Sequence, residues 1–557
     1  MQRPRLHGTD GIRGRIHSFE GTDEDALIAL VEKRLLSHRS MRIIGEATGL
    51  YLCENIGISP LVLIGWDRRD GNSGLVDALE SGLSVAGCRT LRIGEVPTPA
   101  IHHAVLSASA DAGMMITASH NPATDSGVKL FDSDGYKSMP DDENQISSLA
   151  WALVDGSLAT PQESGERMEG MDGITLYRGN LKNRLETFCE LLNIQFEEVD
   201  WSGIIGTQGL VLDCSGGAAT SWLADGLNRR GLDCVEVSSL LDPINKNCGA
   251  GGLSPTDSWS LEELQLNHRE HRLLWTLGQR LQENDGIPPW SKGEIVGAAL
   301  DGDGDRCLLI QATEHGLKVV DGDLICDDIL RATSMMDERP WKVAASIESD
   351  LGFSANLTRL NQQHESITTA VGDRWLSVAL SSDTMGKQKW LYCEQFPAVI
   401  GTEDSGHLVL PVPVPNQDGQ WGMVGDGAAT LLLALLSRAK LRDGTGPNSF
   451  EHGWKKRIAI QPSNRSLWTG DNRLADLMQD TAESWCKSPL QRIAIEGEPA
   501  LLFLSGNLHE KPISIAIRNS GTEAKTAISV RFSSGIERDG SELIDTLVDT
   551  LQPHLNP

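Results

Sequence analysis

The chain has 557 residues, which is too long for one hydrophobic core, and its 39% apolar and 23% charged residues are typical of folded proteins, so we expect several globular domains. A formal net charge of −28 argues against general binding to nucleic acid, since that binding depends on clustered Lys and Arg. The apolar runs fall far short of the roughly 20 residues that span a bilayer, so we expect a cytoplasmic protein with no membrane partner. The 10 scattered cysteines form no C-x-x-C pair, so we expect neither a zinc site nor a disulfide framework.

Strand and helix patterns alternate along much of the chain. Apolar strands are predicted at 61–65, 90–93, 209–213 and 295–300. Apolar residues at helical spacing occupy 75–86, after the first of these strands. The alternation predicts βαβ units and parallel-type sheets in more than one domain. We interpret 155–173 and 443–447 as linkers or loops, and 261–292 as an inserted helix followed by a Pro-rich loop.

The first chemical feature is a serine at the end of an apolar strand. The segment 113–122 reads GMMITASHNP, an apolar run that stops in small and polar residues. The hydroxyl of Ser119 could act as a nucleophile, cap a helix or belong to a turn, and the segment alone does not choose among them.

The second feature is the sequence DGDGDR, which starts at Asp301 and lies between two apolar strands. Asp301, Asp303 and Asp305 alternate with glycines, so their carboxylates can converge on one hard divalent cation, for which Mg²⁺ is the natural candidate. The alternatives are a solvated acidic turn and an EF-hand calcium loop. An EF-hand needs Gly and Glu where this chain has Arg306 and Ala312, so calcium fits poorly.

Three further clusters could bind a sugar phosphate or another polar ligand. The sequence RNSGTE at 518–523 follows an apolar strand and combines an Arg with small hydroxyl residues, which suits an oxyanion such as phosphate. The sequence EDSGH at 403–407 offers carboxylate, hydroxyl and imidazole groups that could hold sugar hydroxyls. The Gly-rich sequence HGTDGIRG at 7–14 could bend around an anionic group. Taken singly, each could also be an ordinary loop.

Taken in order, these motifs resemble those of the α-D-phosphohexomutase family. TASHNP is similar to its phosphoserine loop, DGDGDR to its magnesium loop, EDSGH to its sugar-binding loop and RNSGTE to its phosphate-binding loop, and HGTDGIRG extends the resemblance over most of the chain. The resemblance implies an α/β protein with three similar α/β domains and a smaller C-terminal α+β domain around a central cleft. We place the four domains at 1–185, 186–315, 316–440 and 441–557.

The resemblance also implies an isomerase that exchanges phosphate between O6 and O1 of a hexose phosphate. Phosphorylated Ser119 would donate its group to the sugar, giving a bound 1,6-bisphosphate, and would then regain the other phosphate, with Mg²⁺ as cofactor and hexose 1,6-bisphosphate as activator. The expected metal ligands are Ser119, Asp301, Asp303 and Asp305, with Arg306 orienting them. The expected catalytic residues besides Ser119 are His120, Lys129, Arg13 and His407. The expected substrate ligands are Glu403, Ser405, Arg518, Ser520, Gly521 and Thr522.

The preferred hexose is predicted from smaller resemblances. The sequence NKNCG at 245–249 and the HGTDGIRG start resemble the phosphoglucosamine mutase branch, so we expect glucosamine phosphate as the small-molecule partner. Phosphomannomutase or phosphoglucomutase activity is the alternative, because Asp404 stands where the glucosamine branch usually has Gln. The last loop departs from the family pattern at Asn519, Ala524 and Ala527, the last standing in place of an Arg. Monomer and homodimer both stay open.

Two other classes of protein would require different residues from those present here. A magnesium-dependent sugar phosphatase needs a catalytic Asp nucleophile after a strand, whereas here the serine loop is better placed. A non-catalytic sugar-phosphate sensor is expected to have lost the serine or one of the Asp residues, and Ser119 and all three Asp residues are present.

Overall fold

The computed structural model describes residues 3–158, 164–266, 271–360, 362–382, 388–442, 444–520 and 524–555. Within these residues, 23 strands form four sheets, and 15 α-helices pack around them. No helix in this part of the chain combines the length and the apolar character that a membrane crossing requires.

The strands fall into four consecutive groups along the chain, one for each sheet. The first sheet contains β1 (Ile12–Ile16), β2 (Leu35–Leu36), β3 (Leu61–Trp66), β4 (Arg89–Glu95), β5 (Ala112–Ile116) and β6 (Asp125–Phe131). The second contains β7 (Leu210–Asp213), β8 (Cys234–Glu236), β9 (Ser258–Ser260), β10 (Ile295–Leu300), β11 (Cys307–Ala312) and β12 (Gly316–Val320). The third contains β13 (Trp341–Ser346), β14 (His364–Thr369), β15 (Leu391–Tyr392), β16 (Val399–Thr402), β17 (Leu408–Pro413) and β18 (Gln420–Gly425). The fourth contains β19 (Trp454–Ile460), β20 (Gln491–Arg492), β21 (Leu502–Leu508), β22 (Lys511–Asn519) and β23 (Thr526–Phe532).

Helices cover the sheets and connect them. In chain order they are α1 (Asp23–Lys33), α2 (His38–Asn55), α3 (Asn72–Val85), α4 (Thr98–Ala108), α5 (Pro140–Val154), α6 (Gly173–Leu192), α7 (Trp222–Arg229), α8 (Leu261–Gln265), α9 (Arg272–Glu283), α10 (Gly322–Ser334), α11 (Leu351–Ala355), α12 (Asp373–Ser381), α13 (Gly427–Lys440), α14 (Arg473–Cys486) and α15 (Gly540–Leu555). The segment 261–292, predicted as one inserted helix followed by a Pro-rich loop, therefore contains two helices, α8 and α9, among its described residues.

The first three sheets share one arrangement of their central strands. The second has the order β8-β7-β10-β11-β12-β9 and the third β14-β13-β16-β17-β18-β15, so the two are the same. The first has the matching order β4-β3-β5-β6-β1-β2. The fourth sheet is antiparallel throughout, and α14 and α15 contribute to its core. Three similar α/β units and a C-terminal α+β unit confirm the predicted fold class.

The prediction of parallel-type sheets is wrong for part of each of the first three sheets. In the first sheet β4, β3 and β5 run parallel, but β5 pairs antiparallel with β6, and the hairpins β10–β11 and β16–β17 repeat this change of direction. A parallel crossover needs about a dozen or more residues, and the short loops in these hairpins are too brief for one. Strand β5 is buried along its whole length, so its sequence lacks the alternation that would mark an antiparallel strand.

The predicted domain boundaries stay a prediction, and the sheets suggest one adjustment. β12 lies just after the boundary at 315, yet it hydrogen-bonds to β11 and β9 of the second sheet. A boundary that leaves this sheet whole falls after Val320, and we propose that position for the start of the third domain.

Candidate active site

Four hairpin loops, one from each sheet, meet at one cleft. They are the loops that follow β5, β10, β16 and β22. The cleft has a volume of about 830 Å³, and its lining includes residues of all four loops and of the Gly-rich segment near the start of the chain. The separate clusters found in the sequence therefore belong to one site.

Ser119 follows β5 in a conformation that few non-glycine residues adopt. Its φ is +51°, in the left-handed region. Its backbone N–H donates to Thr117 Oγ1 at 2.8 Å, and its hydroxyl donates to Asp301 Oδ2 at 2.8 Å. Ser119 is only 1% exposed, although its neighbours His120 and Asn121 line the cleft. The backbone thus directs the serine hydroxyl toward the Asp loop.

Two side chains from outside the serine loop fix its backbone. Buried Arg69 donates to the carbonyl oxygens of Ser119 at 2.6 Å and Asp125 at 2.8 Å. Asn245, in the second α/β unit, donates to the carbonyl oxygens of Ser119 at 2.7 Å and Asn121 at 2.9 Å. An unfavourable backbone conformation persists only where the surroundings hold it, and these hydrogen bonds do so.

The three Asp carboxylates that follow β10 lie together. Each offers a ligand oxygen within 4.8 Å of the others, and all three residues are buried. Asp303 Oδ1 and Asp305 Oδ1 have no hydrogen-bond partner in the described structure. Buried carboxylate oxygens without donors are costly unless a cation binds them, and three converging oxygen ligands suit Mg²⁺. The geometry fits the predicted metal site.

Lys129 brings a positive charge to this acidic cluster. Its Nζ lies 2.9 Å from Asp303 Oδ2 and 3.1 Å from Asp305 Oδ2. Burial alone would lower the pKa of Lys129, but Asp10 and the two Asp-loop carboxylates raise it well above its usual value. Burial, followed by repulsion from Asp305 and Asp303, raises the pKa of Asp301 to about 8. Several acidic groups therefore surround the buried ammonium of Lys129.

His407, at the end of the loop after β16, lies between two carboxylates. Its Nε2 is 3.3 Å from Asp373 Oδ2 and 4.0 Å from Asp305 Oδ2. Burial alone would lower the pKa of His407, but Asp305 and Asp373 raise it to about 9. Lys137 Nζ lies 2.7 Å from Asp373 Oδ1. The two carboxylates beside the imidazole therefore favour its protonated form, which can donate a proton.

The other predicted basic residues line the same cleft. Arg13 Nη2 lies 3.1 Å from Asp10 Oδ2. The backbone N–H of Arg306 donates to Asp301 Oδ1 at 3.2 Å, and its guanidinium lies 3.9 Å from Asp301 Oδ2. The charge of Arg306, followed by burial, lowers the pKa of His120 to about 3. His120 is therefore a neutral group in the serine loop.

The predicted sugar-binding residues are linked to each other. Glu403 lines the cleft, and its Oε1 accepts from the backbone N–H of Gly372 at 2.6 Å. Ser405 donates to Glu403 Oε2 at 3.2 Å and contributes to the site through that carboxylate. Asp404 accepts from Lys455 Nζ at 2.5 Å, so its carboxylate faces the fourth sheet.

The predicted phosphate-binding residues are described only in part. Arg518 and Ser520 line the cleft, whereas Gly521 and Thr522 lie outside the described residues. Arg518 Nη2 lies 2.9 Å from Glu348 Oε1. The arginine is therefore at the expected place and is paired with a carboxylate from the third α/β unit.

Several residues of this site are not among those that the sequence motifs predict. Arg69 and Glu348 follow the buried strands β3 and β13, and a charged residue after a buried strand was the available signal. Lys137 and Asp373 come from different α/β units and meet at 2.7 Å. No local pattern predicts such a contact, because it depends on how the units pack.

Comparison with known proteins identifies relatives over almost the whole chain. Residues 4–153 match the family "Phosphoglucomutase/phosphomannomutase, alpha/beta/alpha domain I". A phosphoglucosamine mutase from Jannaschia sp. (strain CCS1) is 30% identical over 526 residues, which is 93% of each chain. A phosphoglucosamine mutase from Coxiella burnetii (strain Dugway 5J108-111) is 30% identical over 441 residues, covering 78% of each chain.

Solved structures share the fold at lower identity. A phosphoglucomutase/phosphomannomutase family protein from Burkholderia thailandensis has a TM-score of 0.59 at 18% identity and covers 99% of this chain and 97% of its own. The phosphoglucomutase parafusin from Paramecium has a TM-score of 0.58 at 14% identity, covering 99% and 95%. The four-unit arrangement is therefore shared along the whole length of the chain.

Proposed function

The chain belongs to the α-D-phosphohexomutase family and is a mutase, and from this premise we propose that it interconverts glucosamine 6-phosphate and glucosamine 1-phosphate. Support for the glucosamine substrate comes from relatives named phosphoglucosamine mutase that match 93% and 78% of this chain. Phosphomannomutase and phosphoglucomutase activity are the alternatives, since proteins of those names share the fold.

The proposed reaction is a relay of phosphate through Ser119. A sugar hydroxyl oxygen attacks the phosphorus of phosphorylated Ser119, the bond from phosphorus to the serine oxygen breaks, and the hydroxyl proton passes to a nearby base. The resulting hexose 1,6-bisphosphate reorients in the cleft. The serine oxygen then attacks the phosphorus of the other phosphate, the bond from that phosphorus to the sugar oxygen breaks, and the sugar oxygen takes up a proton. The bisphosphate also serves as the activator that phosphorylates an unmodified serine.

The hydrogen bond of 2.8 Å from Ser119 Oγ to Asp301 Oδ2 carries this proposal. It places the hydroxyl beside Asp301, Asp303 and Asp305, which would hold Mg²⁺ together with an oxygen of the serine group. A bound Mg²⁺ supplies positive charge that stabilises the transferring phosphate. A serine hydroxyl is a weak nucleophile and a poor leaving group, so it depends on such positioning and charge.

The remaining cleft residues have roles that match their charge. Lys129 and Arg13 provide cations beside the transferring phosphate, and Arg306 orients the carboxylate of Asp301. The raised pKa of His407 suits this residue to proton donation to a leaving oxygen, whereas neutral His120 supports the serine loop.

The substrate itself is held by the third and fourth loops. Glu403, supported by Ser405, accepts hydrogen bonds from sugar hydroxyls. Arg518 and Ser520, with the proposed help of Gly521 and Thr522, bind the phosphate that is not being transferred.

We also infer a cytoplasmic location, because all 10 cysteines are free, as expected in a reducing compartment.

The test is a coupled assay on glucosamine, glucose, mannose and N-acetylglucosamine phosphates, each with its 1,6-bisphosphate. We expect the highest kcat/KM for glucosamine phosphate and a mass increase of one phosphate on the peptide that contains Ser119. Higher turnover of mannose or glucose phosphate would overturn the substrate assignment. Release of free phosphate in place of the isomer would indicate a phosphatase and overturn the mutase reaction.

A further inference from the structure

Two arginines of the fourth sheet converge on one carboxylate oxygen in the cleft. Arg457 lies on β19 and Arg518 on β22, and Glu348 follows β13 of the third sheet. Arg457 Nη1 is 2.8 Å and Arg518 Nη2 is 2.9 Å from the same atom, Glu348 Oε1. All three residues line the cleft. One anionic oxygen thus gathers two guanidinium groups that are far apart in the sequence.

The strand between the two arginines leaves room for a larger anion. β23 lies between β19 and β22, and its register puts Arg457 opposite Ser529 and Arg518 opposite Ala527. Paired residues, and residues two apart on one strand, share a face of a sheet, so all four side chains are on the same face. The floor between the guanidinium groups is therefore made of small side chains, and Ala527 itself lines the cleft.

Glu348 is charged and partly exposed, so another anion can displace its carboxylate from the two arginines. Burial alone would raise the pKa of Glu348, but Arg518 and Arg457 lower it, so the carboxylate is ionised near neutral pH. The side chains of Arg457 and Glu348 are 44% and 22% exposed, which leaves them open to a competing ligand. Arg518 is 13% exposed, and its other terminal nitrogen pairs with Glu498 at 3.1 Å.

We propose that Arg457 and Arg518 together bind the substrate phosphate that is not transferred, and that Glu348 is an internal anion that competes with this phosphate. The inference rests on the proposed function and adds to it a second binding arginine and a competitor. Glu348 offers both arginines the same oxygen, whereas a phosphate dianion has more charge and can present a separate oxygen to each guanidinium group. Each substrate molecule must displace Glu348, which lowers the apparent affinity.

Two substitutions that are expected to change the affinity for phosphate in opposite directions test this proposal. The probe is inorganic phosphate, titrated calorimetrically into the full-length protein with EDTA and no Mg²⁺, so that the acidic Asp loop repels the anion. We expect Arg457→Gln to weaken phosphate binding about ten-fold and Glu348→Gln to strengthen it about ten-fold, the usual size of one charge-assisted hydrogen bond after allowance for exposure. KM for the hexose phosphate is expected to rise in Arg457→Gln and to fall in Glu348→Gln.

Lys456→Gln is the matched control, because it removes one positive charge from the next position of β19, on the opposite face of the sheet. It is expected to change phosphate binding less than two-fold, as a residue outside the site. If Arg457→Gln fails to fold, Arg457→Lys keeps the charge and loses the planar fork, and is expected to weaken phosphate binding as well.

A purely structural bridge between Glu348 and the arginines predicts that both substitutions act in the same direction or not at all, and either result overturns the proposal. Undetectable phosphate binding by both the unmodified protein and Glu348→Gln also overturns it. The titration needs no turnover, so opposite shifts in a protein that isomerises no hexose phosphate would reject the proposed function alone. Turnover without the shifts would reject this inference alone.

Discussion

At Ser119 the backbone and the hydroxyl are positioned by different parts of the chain. Arg69 and Asn245 hold the carbonyl oxygen of this residue, while Asp301 accepts its hydroxyl hydrogen. The residue makes both sets of contacts in a left-handed conformation, with a φ of +51°. The sequence predicted the residue from its motif, but the strained conformation depends on partners that only the fold brings close.

Ser119→Ala is expected to lower turnover at least about a thousand-fold, because the group that accepts and returns phosphate is removed. The cost to folding is small, about 1 kcal/mol, since one hydrogen bond to Asp301 is lost. The coupled assay measures the first effect and thermal unfolding the second. The peptide that contains the substituted residue should carry no phosphate, and full activity of this variant would reject the phosphoserine role.

Asp303→Asn is expected to abolish activity and to remove the thermal stabilisation that MgCl₂ gives the unmodified protein. The physical reason is the loss of one charged oxygen from a set of three that lies within 4.8 Å. The measurement is the unfolding temperature with and without MgCl₂. Asp418→Asn, in an exposed turn, is the control and should keep both properties. An unchanged response to MgCl₂ in Asp303→Asn would remove the metal role.

At the scale of elements, the same position in three similar sheets bears the residues that we propose for the reaction. The loops after β5, β10 and β16 occupy equivalent hairpins, and they bear Ser119, the Asp triad and the segment from Glu403 to His407. The motifs could be predicted from the sequence because each follows a buried strand directly. The hairpins could not be predicted, since a strand that is buried on both faces has the same continuous apolar sequence in a parallel and in an antiparallel sheet.

Arg69→Lys is expected to lower kcat about 100-fold with a smaller change in KM, because the single nitrogen of an ammonium cannot reproduce the forked hydrogen bonds that two guanidinium nitrogens make to the serine-loop carbonyls. Steady-state kinetics separates the two parameters. Arg68→Lys is the matched control: this neighbour donates instead to the carbonyl oxygens of Gly216 and Asp242 in the second α/β unit. An equal loss of kcat in both variants would mean that Arg69 acts on general packing rather than on the loop.

At the scale of the whole molecule, the contacts between units were the least predictable part. Lys137 and Asp373, or Glu348 and Arg518, carry no mutual signal in the sequence, because the pairs are joined only when separate units pack. A buried contact between the first and third units also has no signal in the sequence. Tyr177 of α6 donates to Asp426, the residue before α13, at 2.8 Å in a fully buried contact.

The buried histidine pair of α4, His102 and His103, lies beside this contact and links stability to pH. Burial is the largest cause that lowers the pKa of His102 to about 4 and that of His103 well below its usual value, with Arg184 adding to both effects. Both imidazoles are neutral in the folded protein, whereas the unfolded chain binds protons below about pH 6.5. Their contribution to stability is therefore complete above that pH and is lost as the pH falls toward 4.

His103→Phe is expected to reduce this acid sensitivity, since one buried imidazole that must stay neutral is replaced by a ring that cannot be protonated. Across two pH units below 6.5, one such histidine accounts for about 2.7 kcal/mol of lost stability. The measurement is the difference in unfolding temperature between the variant and the unmodified protein at several pH values from 4.5 to 7. His17→Phe, which replaces an exposed histidine, is the matched control. We expect the difference for His103→Phe to shift in favour of the variant as the pH falls, and a difference that stays constant with pH would show that His103 is protonated equally in the folded and unfolded states.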